Sequence, residues 1–350
     1  MYRKIMSFLE TWKNSVHRKP LILQGARQVG KTYSILEFGR THYENVAYFN
    51  FETNPKLNET FDENISPDYL IPILSHIAGQ TIVKEKTLIV FDEVQLCERA
   101  LTSLKYFCED APDYHIIVAG SLLGVAVNRA KFSFPVGKVD MKTLYPMDME
   151  EFMLALGEDD LVEQIKKCFQ TDTPLPSALH DAAMQLYRQY LVVGGMPECV
   201  MQFAETKDYI LVRHTQDTIL ASYLNDMSKY NNLNEIKKTR LAYDNITVQL
   251  SKKNTRFQYK LIKKGGRASE FENAIEWLCL SGIVSQVYKV EQIKKPLENY
   301  RDIDAFKIYV SDLGLLCAKK DLAANDILYM VEEINDFKGG MAENLSLIHI

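Results

Sequence analysis

Residues 21–32 read Leu21-Ile22-Leu23-Gln24-Gly25-Ala26-Arg27-Gln28-Val29-Gly30-Lys31-Thr32 and run on into Tyr33-Ser34-Ile35-Leu36-Glu37-Phe38. The apolar opening predicts a strand buried on both faces, and the stretch after Thr32 reads as a helix. Between them, the eight residues from Gly25 to Thr32 fit GxxxxGK[ST] at every position. A turn that cradles phosphate must converge several backbone N–H groups on it. Gly25 and Gly30 permit that curvature, and Ala26, Arg27, Gln28 and Val29 supply the wrapping backbone. The helix that follows adds the positive end of its dipole. Lys31 brings a charge for the β and γ phosphates, and Thr32 a hydroxyl for Mg²⁺. A Gly-rich turn before an ordinary helix would look similar, but a lysine aimed into the centre of the loop has no packing reason to be there.

Working outward, four more short apolar runs follow at Val46–Phe51, Thr87–Phe91, His115–Ala119 and Val139–Leu144, separated by helical-looking segments such as Tyr33–Tyr43 and Ser103–Glu109. Strands alternating with helices predict an α/β unit with a parallel sheet. Leu88-Ile89-Val90-Phe91-Asp92-Glu93 puts two carboxylates at the C-terminal end of one strand, the sheet edge where ligands bind. Asp92 is placed to hold Mg²⁺ through water, and Glu93 to orient and polarise the attacking water. That pair favours hydrolysis over transfer to an acceptor hydroxyl, as in a small-molecule kinase. His115-Ile116-Ile117-Val118-Ala119-Gly120-Ser121 ends another strand in a small polar residue. Ser121 is a candidate contact to the γ-phosphate or the lytic water, or else the cap of the next helix. Asn128 is followed by Arg129, Ala130 and Lys131, so no guanine-reading NKxD is present and the reading leans to ATP. Arg129 and Arg188 are candidate arginine fingers.

From about Met149 the pattern turns helical, with Glu150–Leu156, Leu161–Phe169, Ala178–Leu191 and Asp208–Met227 and no strand among them. A third region begins near Asn234. Residues 237–267 carry ten basic side chains against Asp244 alone, a net +9 in a chain whose total is −5. Such segregation is an electrostatic footprint for a polyanion, so DNA is a candidate partner of residues 237–267, with a protein partner as the alternative. The layout also fits a winged helix: a helix over Ile236–Leu250, a turn with Phe257 and Tyr259, a helix over Ser269–Leu280 and β-like runs at Ile283–Val290 and Phe306–Val310. Phe271, Ile275 and Leu278 read as packing, whereas Trp277 could serve core or surface. The expected division is 1–148 for the phosphate-binding domain, 149–233 for a helical lid or linker, and 234–344 for the winged-helix-like region.

Composition bounds these readings. With 350 residues, 47% hydrophobic and 25% charged, the chain is an ordinary globular one of two or three domains, neither disordered nor uniformly basic. No run of 18 apolar residues is present, which argues against a membrane partner, and the N-terminus has charges where a signal peptide needs its apolar segment. Cys97, Cys108, Cys168, Cys199, Cys279 and Cys317 form no CxxC pair and read as reduced thiols of a cytoplasmic protein.

Together, GARQVGKT, the strand ending in Asp92-Glu93, the strand leading into Gly120-Ser121 and the later Leu191-Val192-Val193-Gly194-Gly195-Met196-Pro197-Glu198 resemble the prokaryotic AAA-type P-loop ATPases that carry a C-terminal winged-helix region and a nuclease-like fold. The resemblance spans about residues 1–344. It implies the additional-strand P-loop sheet, ATP and Mg²⁺ as ligands, and a Mg-dependent ATPase acting as a conformational switch. The alternative is a nucleotide-dependent signalling or scaffold protein with little hydrolysis and protein rather than DNA partners. In that family Arg27 and Gln28 recur in the loop, the Gly-Gly recurs after a helix, and Tyr223-Leu224-Asn225-Asp226 matches a segment of the linker helices. Lys138, within Phe134–Val139, stands where the family usually has arginine, a departure that counts against a bidentate phosphate contact there. Lys338-Gly339-Gly340-Met341-Ala342-Glu343-Asn344 matches the family's approach to its last domain, so the short remainder Leu345–Ile350 is expected to mark a truncation. That truncation would leave an apolar face at Leu316, Ile327, Leu328 and Val331 uncovered.

Overall fold

The computed structural model describes residues 1–120, 123, 134–229, 233–252 and 256–348. The chain divides into two compact units, one of Arg3–Tyr145 and one of Pro146–Ile350 with Met1–Tyr2.

The first unit contains α1 (Ile5–Lys13), β1 (Leu21–Gln24), α2 (Lys31–His42), β2 (Asn45–Asn50), α3 (Leu57–Glu63), α4 (Pro67–Ala78), β3 (Thr87–Asp92), α5 (Glu98–Asp110), β4 (His115–Ala119) and β5 (Asp140–Thr143). All strand pairings are parallel and the order is β2-β3-β4-β1-β5. Strand β4 is thus inserted between β1 and β3, which makes this the additional-strand type of P-loop sheet. Burial follows that order: β3 and β4 are buried at every residue and β1 at three of four, whereas the edge strands β2 and β5 expose alternate or successive residues. One face of the sheet packs Ile22, Phe49, Phe91 and Val118 against Phe51, Phe61, Leu74, Leu101, Leu104 and Phe107 from the segments between strands. Phe91 sits edge-on to Phe61, with ring centres 5.5 Å apart.

The second unit begins with α6 (Met149–Ala155), α7 (Asp159–Gln170), α8 (Ser177–Val193), α9 (Pro197–Thr206) and α10 (Tyr209–Lys229). Asp148 and Glu151 form a reciprocal capping box that starts α6. It continues with α11 (Leu233–Ser251), α12 (Tyr259–Ile262), α13 (Ala268–Leu280), β6 (Val284–Val290), β7 (Arg301–Val310), α14 (Leu313–Lys319), α15 (Ala324–Leu328) and α16 (Asn335–Ile348). β6 and β7 pair antiparallel. The backbone of Phe257 adds one further bridge to this ribbon, its N–H donating to the Phe306 carbonyl at 2.7 Å, and the two rings stack at 5.5 Å. Trp277 is 3% exposed and therefore belongs to the core, beside Phe271, Ile275 and Leu278.

One expectation needs correction. Leu316 and Ile327 are fully buried inside the second unit, and Leu328 and Val331 are half-buried, so no open apolar face lies there. The segment Lys338–Asn344 belongs to α16 and is part of the same packing: Asn344 is buried, and its side-chain amide both accepts from Val310 N–H at 2.8 Å and donates to Val310 C=O at 2.9 Å.

The Gly-Gly after α8 has a purely architectural cause. A Cβ at Gly195 would lie 2.0 Å from the Met147 carbonyl oxygen, and one at Gly194 2.4 Å from Asp312 Oδ1. Gly195 N–H donates to Asp312 Oδ2 at 2.6 Å, and Asp312 Oδ1 accepts from Leu315 N–H at 2.8 Å as the N-cap of α14. Gln216 completes the knot by donating to the carbonyls of Val192 and Val193.

Candidate nucleotide-binding site

The phosphate loop joins the end of β1 to the first turn of α2. Gly30 takes the left-handed conformation (φ 89°, ψ 24°) as the N-cap of α2, and Gln28 also has positive φ, 66°. Gly25 is required by a close approach: a Cβ there would sit 2.2 Å from the carbonyl oxygen of Leu144, whose N–H bonds to Gln24 at 2.8 Å as β5 ends. Lys31 is 7% exposed, and its ammonium donates to the carbonyls of Gly25 at 2.9 Å and Ala26 at 2.8 Å. Burial lowers its pKa to about 8, against the opposing pull of Glu93 and Asp92. The lysine is therefore held over the loop it serves.

Thr32 and Asp92 are sixty residues apart in sequence, yet Thr32 Oγ1 donates to Asp92 Oδ2 at 2.8 Å. Asp92 is buried at 3% exposure; its Oδ2 also accepts from the Tyr48 hydroxyl at 2.7 Å and its Oδ1 from Glu93 N–H at 3.0 Å. One hydroxyl and one carboxylate at a phosphate loop make a hard-oxygen pair of the kind Mg²⁺ accepts when phosphates and water fill its other positions. Among the described residues no group of three or more His, Cys, Asp or Glu could hold a metal. Glu93 follows with left-handed backbone (φ 51°, ψ 39°), and its Oε2 accepts from the Gln95 amide.

The structure thus brings Gly25–Thr32, Asp92 and Glu93 to one edge of the sheet. Ser121 and Arg129 lie outside the described residues. Arg188 is exposed on α8. Lys138 is placed away from the loop: it precedes β5, at the opposite end of the sheet, and pairs with Glu109 at the end of α5 at 2.8 Å.

Three residues escaped sequence reasoning. Tyr48 reaches Asp92 because β2 and β3 run side by side with Asn50 opposite Asp92. Arg3, 4% exposed, donates to the Val29 carbonyl at 2.9 Å and the Tyr145 carbonyl at 2.8 Å, holding the underside of the loop. Gln95 is the third. Tyr48 acts across strands and Arg3 from a distant segment, so no local spacing signals them, whereas Gln95 stands only two residues past Glu93.

The sheet order and this loop define an additional-strand P-loop nucleotide-binding fold. The family model for an AAA domain matches residues 17–153, and a model for a domain of unknown function matches residues 184–326. The chain is therefore AAA-like in its first unit. Similar solved structures include the Aeropyrum pernix ORC2 protein in ADPNP–ADP complexes, at 13% identity over 97% of this chain and 95% of that one, with a TM-score of 0.43. The Aeropyrum pernix ORC1 protein in complex with DNA is 12% identical over 91% of each chain, with a TM-score of 0.32. The Thermotoga maritima RuvB Holliday junction branch migration motor is 14% identical over 81% of this chain and 87% of that one, with a TM-score of 0.34. No curated protein sequence matches the chain.

Proposed function

We propose that this protein binds ATP with Mg²⁺ and hydrolyses it, as a switch acting on its helical second unit. The observation that carries this reading is the meeting of Lys31, Thr32, Asp92 and Glu93 at the C-terminal edge of the sheet. Backbone N–H groups of residues 25–32 and the start of α2 would hold the β and γ phosphates, with Lys31 turning from its two carbonyls to the phosphate oxygens. Thr32 and Asp92 would hold Mg²⁺, which neutralises charge on the phosphates. Glu93 would accept a hydrogen bond from the attacking water and polarise it. A switch follows if contacts to the γ-phosphate exist in one state only, because a ligand shifts an equilibrium by its differential affinity alone. No described helix is long and apolar enough to cross a membrane.

Residues 233–310 support the reading of a winged helix: three helices, then a two-stranded ribbon. The third helix of such a module is the one that enters a DNA groove. Here its exposed face carries Glu272, Asn273 and Glu276, and Glu270 beside them pairs with Lys263 at 3.1 Å. That face repels phosphate. It favours a second reading, in which the module grips a protein and DNA contact is confined to the exposed cations Lys252, Arg256, Lys260, Lys264 and Arg267.

The test is ATP hydrolysis by the full chain with Mg²⁺, with and without DNA. Activity that rises with DNA supports the nucleic-acid arm, and activity indifferent to it supports the protein arm. Where DNA binds, affinity is expected to be sequence-tolerant. Neutralising Lys252, Lys253 and Arg256 (Lys253 lies outside the described residues) should flatten the slope of log affinity against log salt by about two to three units, near one per lost phosphate contact. An unchanged slope places the contact elsewhere.

A further inference from the structure

We propose that Gln95 is a positioning residue for Glu93, fixing the carboxylate that polarises the attacking water. This rests on the reading of Glu93 above. Gln95 lies in the short 3₁₀ turn Val94–Leu96 just beyond β3, two residues past Glu93. Its Nε2 donates to Glu93 Oε2. Its Oε1 is buried and, among the described residues, has no hydrogen-bond partner.

That Oε1 is pressed against the end of the neighbouring strand. A Cβ added at Gly120, directly after β4, would lie 2.2 Å from it. Since β3 and β4 are adjacent and parallel, Gln95 bridges the two strand ends at the edge where the phosphate loop opens. The amide cannot gain by turning over, because its oxygen would then face the Glu93 carboxylate.

The chemistry argues for purpose. A buried carbonyl without a donor is costly, and a side chain needed only to fill this space would be better apolar. Methionine has almost the same length and no such cost. What glutamine adds is the N–H on Glu93. That bond holds one oxygen of the carboxylate and restricts its rotation. Glu93 itself sits in left-handed backbone, which non-glycine residues adopt rarely, and the Gln95 bond adds to what fixes its side chain. Gly120 is then required because any side chain there would push the amide off its carboxylate.

The experiment measures steady-state Mg-ATP hydrolysis, ATP affinity and thermal unfolding for the full chain and for Gln95→Met, Gln95→Ala, Gly120→Ala and Glu93→Gln. Gln95→Met is expected to lower kcat by about ten- to a hundredfold, the scale of misplacing a catalytic group, with ATP affinity unchanged and thermal stability unchanged or higher. Gly120→Ala should lower kcat similarly in the native background and add nothing in the Gln95→Ala background. Wild-type kcat in Gln95→Met overturns the proposal, and so does a loss of ATP affinity or stability in step with kcat, which would make Gln95 structural. Glu93→Gln separates the two levels. If it is inactive while Gln95→Met is normal, this inference alone fails; if it is fully active, the reading of Glu93 fails and takes this one with it.

Discussion

Lys31→Ala is expected to lower ATP affinity by about a hundredfold or more, the loss of charge-assisted bonds to two phosphate oxygens at roughly tenfold or more each. The physical basis is that Lys31 is kept buried at a cost. Desolvation brings its pKa down to about 8, and in this structure its ammonium donates to the loop carbonyls of Gly25 and Ala26. Removing it should leave the protein's own thermal stability unchanged or slightly higher, because the buried charge goes with it. The nucleotide-induced rise in melting temperature should vanish, since a ligand stabilises only in proportion to its binding. Isothermal titration and thermal unfolding with and without Mg-ATP check both halves. A variant that unfolds early yet still binds would show Lys31 to be a packing residue.

The second large effect is on folding. Asp312→Ala should destabilise the second unit by about 3–5 kcal/mol, because it orphans the buried N–H groups of Gly195 and Leu315 and removes the cap of α14. Asp312 is 2% exposed, and burial raises its pKa from 3.8 to about 6, against the bonds from Leu315, Gly195 and Gly314. The sign of the pH dependence follows. Between about pH 4 and about pH 6 the folded chain retains a proton that the unfolded chain has released, so stability from this group falls as pH rises. The drop totals about 3 kcal/mol and levels off above about pH 6, at 1.36 kcal/mol per pKa unit. Denaturant unfolding from pH 4 to pH 8 should reveal this slope in the native chain and its absence in Asp312→Ala. A profile that is the same in both would mean that Asp312 is ionised in the folded state throughout.

The phosphate unit was largely legible in the sequence because its signals are local. Buried parallel strands are short apolar runs, so β1, β3 and β4 declare themselves, and the loop is a contiguous motif tied to the ends of its neighbours. The edge strands could be found but not ranked, since Asn45–Asn50 and Asp140–Thr143 carry the polar residues that edges tolerate. Helices α3 and α4 were passed over; α4 holds Pro72 in its interior, and α3 is only seven residues long.

What stayed hidden depends on long-range placement. Gly194 and Gly195 carry no local sign of their partner, which is Asp312, 117 residues beyond Gly195. The basic segment 237–267 was counted as a single +9, but the count ignores neighbours. Lys238 pairs with Glu235, Lys263 with Glu270, and Asp244, its one acid, is taken by Lys319. The helix that a groove would receive proved acidic on its open face, because α13 spends its apolar residues on the core and leaves Glu272 and Glu276 outside. Arg3 stands twenty-six residues before the carbonyl it holds, beyond the reach of any motif.

Phosphate grip is expected to be separable from water activation, and Glu93→Gln tests that separation most directly. The measurement is single-turnover hydrolysis of ATP by the full chain with Mg²⁺, alongside equilibrium ATP binding. Wild type should hydrolyse the bound nucleotide. The variant should bind ATP with native affinity and keep it intact, its rate down by about 10²–10⁴-fold, the usual contribution of a positioned base. Hydrolysis by Glu93→Gln at the wild-type rate, or failure of the native chain to bind ATP at all, would contradict the account.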